Sequence, residues 1–156
     1  MATKQEMIDG MEFVRAQAKR VAGLIDPGDW DLNRPQGWTP KEMFAHVAVT
    51  AATIPAMGAG LLAAPENVEL TSGLDIGALN EQGVSSLRAV PVEQVLEALD
   101  NNYVKLIDWT KGLNDEQLAG KKTFLTMTMP GSDLLMTLTV MHAVHHVYEA
   151  GLRVAI

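Results

Sequence analysis

Apolar residues recur in steps of three and four along most of this chain, and this pattern predicts long amphipathic helices. The first such helix spans about Thr3 to Ile25. Its apolar seam consists of Met7, Met11, Val14, Ala18, Val21 and Ile25. Charged side chains fill the remaining faces, and Asp26-Pro27-Gly28 ends the helix because proline disfavours a helical conformation at the residue before it.

The residues at the start of a second helix predict where it begins. Thr39 is the expected N-cap, Pro40 the first helical residue and Glu42 the acid that completes a capping box. Trp38 and Met43 are spaced to form a hydrophobic staple across this start. The loop before it, from 29 to 38, includes Asn33-Arg34-Pro35-Gln36.

The later elements follow from the same signals. The second helix is expected to bend at Pro55 and to end near Ala64. A shorter helix over 74–88 follows a loop, and Pro91 opens a long helix that ends near Gly112.

The last third of the chain contains one extended stretch and one helix. Thr123 to Met129 favours a short β-ribbon, which Pro130-Gly131 ends. Ser132 is the expected N-cap of a final helix that runs to about Val154. Four long helices with one long connection between the second and third predict an all-α four-helix bundle with a crossover, in one domain covering 1–156.

Composition supports this class and excludes several functions. Hydrophobic residues make up 47% of the chain but aromatic residues only 5%, which suits helix packing better than a β-sandwich. The net charge of −7 argues against nucleic acid as a partner. There is no cysteine, so disulfides, thiolate ligands and a cysteine nucleophile are excluded. Any thiol used here must arrive with a substrate.

No segment has the pattern of a signal peptide or of a membrane span. The most apolar stretch, 45–64, is rich in alanine and glycine and contains Pro55, which favours a buried bundle helix. The expectation is a cytoplasmic protein that acts on a small molecule, without a membrane partner.

Three of the four histidines lie within nine residues of the last helix. His142 and His146 are one turn apart on one face, with Cβ atoms roughly 5–6 Å apart, a spacing at which two imidazoles can bind one metal ion. His145 is also one turn from His142, so its ring could join the pair or point to a neighbouring helix. The alternative is a buried polar cluster without a ligand.

The fourth histidine, His46, lies on the second turn of helix 2 and favours the metal. If it faces His142 and His146, three imidazoles converge and leave a coordination position open, as catalytic zinc sites do. An all-nitrogen ligand set suits zinc, nickel, iron or copper, and availability favours zinc.

Two segments carry a family resemblance. The chain resembles the DinB/YfiT-like superfamily, which includes the N-terminal domains of mycothiol-dependent maleylpyruvate isomerases, in His142-Ala143-Val144-His145-His146 and in Trp38-Thr39-Pro40-Lys41-Glu42-Met43-Phe44-Ala45-His46-Val47-Ala48. The resemblance implies that His46, His142 and His146 bind a divalent metal. It implies that His145 is not a ligand and lies beside the site or faces a partner.

The resemblance also implies a range of activities. These are thiol transfer with low-molecular-weight thiols such as bacillithiol, mycothiol-dependent isomerisation and metal-assisted hydrolysis, and a homodimer is implied as well. A different class of hypothesis is a stress-associated dimer that binds a metal or small ligand without turnover.

Four further side chains can be explained without a functional role. Glu149 could orient an imidazole or act as a base, or it could be a surface carboxylate. Arg153 fits the helix macrodipole without any substrate. Glu81 could form a pocket wall or a solvated face, and Trp38 is expected to be a packing residue.

Overall fold

The protein folds into a four-helix bundle with a long crossover, as predicted. A computed structural model describes residues 1–32, 37–66, 68–69 and 71–154, so the predicted loop residues 33–36 lie outside the described part. In chain order the elements are α1 (Lys4–Ala22), α2 (Pro40–Ala63), α3 (Ile76–Leu87), α4 (Val92–Lys111), α5 (Asp115–Ala119), β1 (Lys121–Phe124), β2 (Met127–Pro130), α6 (Gly131–Met136), a π-helical segment (Thr137–Met141) and α7 (His142–Val154). The last three follow one another without a break and form one C-terminal helix over 131–154.

Helices α1 and α2 lie across the diagonal of the bundle, because each packs against both α4 and α7. The crossover between α2 and α4 contains α3, which packs on α2. The core is formed by large apolar side chains without solvent exposure, among them Met7, Met11, Phe44, Ile54 and Leu106. The helices that carry the four histidines, α2 and α7, are therefore direct neighbours.

Helices α1, α2 and α5 begin with capping boxes, and the one predicted for α2 is confirmed. The hydroxyl of Thr39 accepts a hydrogen bond from the backbone N–H of Glu42, and the Glu42 carboxylate accepts one from the Thr39 N–H. Pro55 lies inside α2, which continues through it. The bend at Pro55 stays a prediction.

The start of α2 is also tied to the rest of the molecule. The Glu42 carboxylate, held by the capping box, lies 2.6 Å from Nε of Arg88 at the end of α3. The capping box therefore fixes both the first turn of α2, one turn before His46, and the end of the crossover helix.

Helix α2 is long and apolar enough to cross a membrane by length and composition alone. Half of its most apolar window is buried inside the bundle. A core helix passes the same test, so this is weak evidence for a membrane span.

The predicted ribbon is present, but the predicted N-cap of the last helix is wrong. Strands β1 and β2 pair antiparallel with Lys121 opposite Pro130. The helix then begins at Gly131, whose N–H donates to the carbonyl of Gly120, and Ser132 is fully buried inside the first turn. The ribbon places the N-cap at Pro130, two residues earlier than the serine suggested. The short helix α5 was not predicted.

The π-helical segment is a second feature that the sequence did not reveal. Its carbonyl at Thr139 accepts a 2.7 Å hydrogen bond from the hydroxyl of Tyr103 on α4, deep in the core. The Thr139 hydroxyl donates to the carbonyl of Leu135. The segment ends at Met141, so the wider turn immediately precedes His142.

Candidate metal centre

Three histidines meet where α2 packs against α7. The Nε2 atom of His142 lies 3.0 Å from Nε2 of His46 and 3.1 Å from Nε2 of His146. His46 is 3% exposed, and the other two rings are partly buried. The helical spacing of His142 and His146 and the packing of α2 on α7 together direct all three Nε2 atoms to one point.

The three rings are nearly perpendicular to one another. The planes of His46 and His142 make an angle of 80°, those of His46 and His146 an angle of 89°, and those of His142 and His146 an angle of 83°. Their centroids are 4.6–4.9 Å apart. Stacked imidazoles would hide their nitrogens from one another, whereas this arrangement turns three lone pairs inward.

These distances match a common metal ion better than a set of hydrogen bonds. Metal–nitrogen bonds of ~2.05 Å place two ligand atoms about 2.9 Å apart at a 90° angle and about 3.3 Å apart at the tetrahedral angle. The Nε2 of His142 has either one hydrogen or one lone pair, so it can serve only one of its two neighbours well. A divalent ion would satisfy all three nitrogens, and the residues present therefore fit a metal.

The electrostatic environment keeps these rings neutral. Burial, followed by the charges that His142 and His146 would carry, lowers the pKa of His46 to about 3. Burial and the neighbouring histidines likewise lower the pKa of His142 to about 4 and hold the pKa of His146 below its usual value. Neutral imidazole is the form that binds a metal, so the site is ready for one at neutral pH.

Within the described residues, this point offers three candidate nitrogen ligands and no fourth. Among the described residues, the group of potential ligand atoms contains only His46, His142 and His146. Three protein ligands leave at least one position for an exogenous molecule, which is the arrangement of a catalytic site.

Trp38 forms one side of the centre, a role that the sequence interpretation missed. Its ring centroid lies 4.5 Å from that of His46 and 6.0 Å from that of His146. The indole N–H donates to Glu81 on α3 at 3.3 Å, and Glu81 in turn accepts from Arg88 at 2.7 Å. The crossover helix thus holds the tryptophan against the histidines, and the only signal in the sequence was the position of Trp38 before the capping box.

Glu149 and Arg153 support the His146 side of the centre. Glu149 lies with one carboxylate oxygen 3.5 Å from Nδ1 of His146, while its other oxygen accepts a 2.7 Å hydrogen bond from Arg153. Burial would raise the pKa of Glu149, but the hydrogen bond and charge of Arg153 outweigh it, so the pKa lies below the usual value. Arg153 also donates to the backbone carbonyl of Trp38 at 2.8 Å.

The hydrogen bonds of Arg153 connect the segment before α2, at Trp38, to α7. The position of Arg153 also explains Gly37, where a Cβ would lie 2.8 Å from the Arg153 guanidinium and where φ is +106°. Arg153 therefore does more than complement the helix dipole. Glu149 faces the Nδ1 side of His146, away from the convergent Nε2 atoms, and its role as a base stays a prediction.

His145 lies outside the three-histidine group. Its side chain is 70% exposed and its Nε2 is 3.6 Å from the Glu149 carboxylate. With His146 and Glu149 it makes a second, more exposed cluster of potential ligands. Both clusters contain His146. One ring nitrogen of His146 can bind only one ion, so it cannot serve both clusters at once.

A sizeable cavity lies away from the histidines. It measures about 500 Å³ and lies between α1 and α4, where Arg15, Trp30 and Asp100 line it. None of the four histidines contributes to its wall. The metal centre is therefore distinct from this cavity.

The comparisons with known proteins bear on the fold. No family model and no curated protein matches the sequence. Among solved structures, the chain is similar to YfiT from Bacillus subtilis, described as a probable metal-dependent hydrolase with an unusual four-helix bundle topology. The TM-score is 0.71 at 18% identity, over 97% of this chain and 87% of YfiT.

A second similar structure is that of a mycothiol-dependent maleylpyruvate isomerase. Its TM-score is 0.70 at 14% identity, and the match covers 98% of this chain but 61% of the isomerase. The chain has the DinB/YfiT-like fold. At these identities the likeness concerns the fold alone, and the chemistry has to be argued from the site.

Proposed function

We propose that this protein is a metal-dependent enzyme in which His46, His142 and His146 bind one divalent ion. The observation that carries the proposal is the approach of His142 Nε2 to Nε2 of His46 at 3.0 Å and of His146 at 3.1 Å, with nearly perpendicular ring planes and with ligand atoms of all three histidines within 4.8 Å of one another. The similarity to a probable metal-dependent hydrolase supports it. Zinc is the first candidate for the ion, with nickel or iron as alternatives, because all three accept imidazole nitrogen.

A divalent ion with an open position lowers the pKa of a bound water or thiol and thereby supplies a nucleophile at neutral pH. The protein's part is to hold three imidazoles in one tautomer and orientation. For His146 we assign this role to Glu149, which is ionised and lies 3.5 Å from Nδ1, so that its charge favours a proton on Nδ1 and a lone pair on Nε2. For His46, the indole of Trp38 packs against the imidazole and holds its orientation.

The nucleophile is proposed to be water or a low-molecular-weight thiol, giving hydrolysis, thiol transfer or isomerisation of a small molecule. The chain has no cysteine, so a thiol would be a co-substrate. The similarity to a mycothiol-dependent isomerase favours a thiol, whereas that to a probable hydrolase favours water. A cytoplasmic location, where such thiols are kept reduced, belongs to the proposal.

The open position can be tested by replacing the ion with Co²⁺, whose absorption spectrum reports its ligands. Azide should shift the visible bands of the Co²⁺ protein, and a small thiol such as 2-mercaptoethanol should add an intense thiolate-to-metal band. Co²⁺ binding without any response to azide or thiol would show a closed, structural site and would refute the enzymatic proposal. A response to azide alone would favour hydrolysis over thiol chemistry.

A further inference from the structure

The cavity between α1 and α4 is larger than the spaces normally left between packed helices. It measures about 500 Å³, whereas protein interiors leave few voids larger than a water molecule. Sites for small molecules typically measure roughly 300–1,000 Å³, and in helical bundles they lie between helices. The α1–α4 cavity therefore has the size and the position of a ligand site.

The cavity exists because α1 carries small residues towards its C-terminal end. Met11 and Val14 fill the space beside the first part of the helix, whereas Ala18, Ala22 and then Gly23 line the cavity. At 1.5 Å per residue, the lining along α1 is ~12 Å long. The small side chains thus leave an elongated space between the two helices.

The lining has an apolar floor and a charged rim. Every buried residue of the lining is apolar, with Trp30 7% exposed and Leu99 2% exposed. Charged side chains, among them Lys19, Glu93 and Glu97, lie at the exposed rim. This arrangement suits a ligand with an apolar body and a charged head group.

The two cationic side chains of the lining are already paired. Arg15 donates two hydrogen bonds to Asp100, at 2.9 and 3.1 Å, and one to Glu12 at 2.8 Å, so all three guanidinium nitrogens are engaged. The ammonium group of Lys19 lies 3.4 Å from the same Asp100 carboxylate. An anionic head group would have to compete with these carboxylates for the two cations.

Two carboxylates of the rim are unpaired. Glu93 and Glu97 lie one turn apart on α4, and within the described ranges neither side chain has a hydrogen bond or an ion pair. The formal charge of −7 over the whole chain adds to the attraction for a cation. The rim therefore favours a cationic head group above the apolar floor.

We propose that the α1–α4 cavity is a second ligand site, which binds an amphipathic ammonium compound. Its apolar body lies on Trp30 and Leu99, and its cationic head group lies beside Glu93 and Glu97. None of the histidines lines the cavity, so the proposal does not rest on the metal chemistry.

The first test compares three probes that share one eight-carbon chain, namely octyltrimethylammonium, octyl glucoside and octane sulfonate. The quaternary ammonium has no lone pair and cannot bind a metal ion. Calorimetric titration at low ionic strength, below micelle formation, should give one octyltrimethylammonium per chain, with a Kd at least about fivefold lower than that of the other two. No saturable binding, equal binding of all three probes, or a preference for the sulfonate would overturn the proposal.

The second test removes the two free carboxylates. The double variant Glu93→Gln with Glu97→Gln should raise the Kd for octyltrimethylammonium about fivefold and leave that for octyl glucoside unchanged. Asp115→Asn with Glu116→Gln is the matched control, because it removes two exposed carboxylates of α5, outside the cavity. Equal effects of the two double variants would refute the proposed position of the head group.

The third test fills the cavity. Ala22→Leu should abolish binding of octyltrimethylammonium, because the added side chain occupies the space of the apolar body. Ala16→Leu is the control, since Ala16 is exposed on the same helix and does not line the cavity. Thermal unfolding verifies that both variants fold, and if Ala22→Leu does not, the glutamine variants decide. Binding by folded Ala22→Leu with the wild-type Kd would show that the ligand lies elsewhere.

Discussion

The indole of Trp38 lies against the imidazole of His46, with ring centroids 4.5 Å apart and planes tilted by 42°. The two residues come from different elements, since Trp38 precedes α2 and His46 lies within it. The capping box at the start of α2 fixes the backbone directly after Trp38. Glu81 on the crossover helix accepts a hydrogen bond from the indole and holds it in place. The tryptophan is therefore placed to position the imidazole that we propose as a metal ligand.

This contact predicts a fluorescence signal. Co²⁺ bound by the three histidines should quench part of the tryptophan emission, because Trp38 lies beside the site. In Trp38→Phe most of this quenching should disappear while Co²⁺ still binds. Trp109→Phe is the control. This variant should keep the quenching, because Trp109 packs on Gly58, twelve residues beyond His46 along α2. Equal quenching in wild type and Trp38→Phe would contradict the placement of Trp38.

Glu149 is expected to tune metal affinity. Loss of an outer partner of a metal-bound histidine typically weakens binding 10–100-fold. The Glu149 oxygen lies 3.5 Å from His146 Nδ1, so the effect of Glu149→Gln should fall at the lower end of this range. We expect the Kd for Zn²⁺, measured by competition with a chelating dye, to rise about tenfold.

The matched control for this measurement is Glu116→Gln, an exposed glutamate on α5, which should leave the Kd unchanged. An unchanged Kd in Glu149→Gln would show that this carboxylate does not support the site.

Stability of the metal-free protein should fall as the pH is lowered through the acid range. Imidazoles have a pKa near 6.5 in the unfolded chain, whereas those of His46 and His142 are about 3 and about 4 in the folded protein. Between these limits the unfolded chain binds more protons, so stability decreases from about pH 6.5 downward.

The measurement is the urea midpoint of EDTA-treated protein at pH 7, 6 and 5. In His46→Gln the decrease should be shallower because one such histidine is missing. Equal pH dependence in the two proteins would show that His46 is not buried as a neutral ring.

The π-helical segment should depend on Tyr103. Removal of its hydroxyl in Tyr103→Phe leaves the buried Thr139 carbonyl without this donor, at a cost of about 1–3 kcal/mol in the free energy of unfolding. Because the segment immediately precedes His142, metal affinity should decrease as well.

Tyr148→Phe is the control for this substitution, since it removes a hydroxyl that bonds to Gln17 at the surface. It should change the free energy of unfolding by less than about 0.5 kcal/mol. A Tyr103→Phe protein as stable as wild type would exclude this role.

The fold was largely predictable because its signals are local. The seam of α1, the capping box of α2 and the turn residues before α4 each depend on side chains a few positions apart. Ser132 misled because a serine before an apolar run is a local N-cap signal, whereas the true start is set by the hydrogen bond from Gly131 to Gly120 across the ribbon. The π-helical segment depends on Tyr103, which lies 36 residues away in sequence.

The site divides in the same way. The spacing of His142 and His146 is a property of one helix and could be read from the sequence. That His46 approaches them depends on which helices pack together, and periodicity alone does not determine this. The supports from Trp38 and Arg153 include a hydrogen bond from the Arg153 side chain to the Trp38 backbone carbonyl, 115 positions away in sequence, so no local pattern could reveal it.

The most direct test of the central claim is the metal content of the protein purified without an affinity tag, measured by inductively coupled plasma mass spectrometry after equilibration with Zn²⁺ and desalting. The wild type and His145→Ala are expected to retain about one ion per chain, while His46→Ala, His142→Ala and His146→Ala retain little. Wild-type protein that retains no ion, or a His142→Ala variant that retains as much as the wild type, would contradict the account.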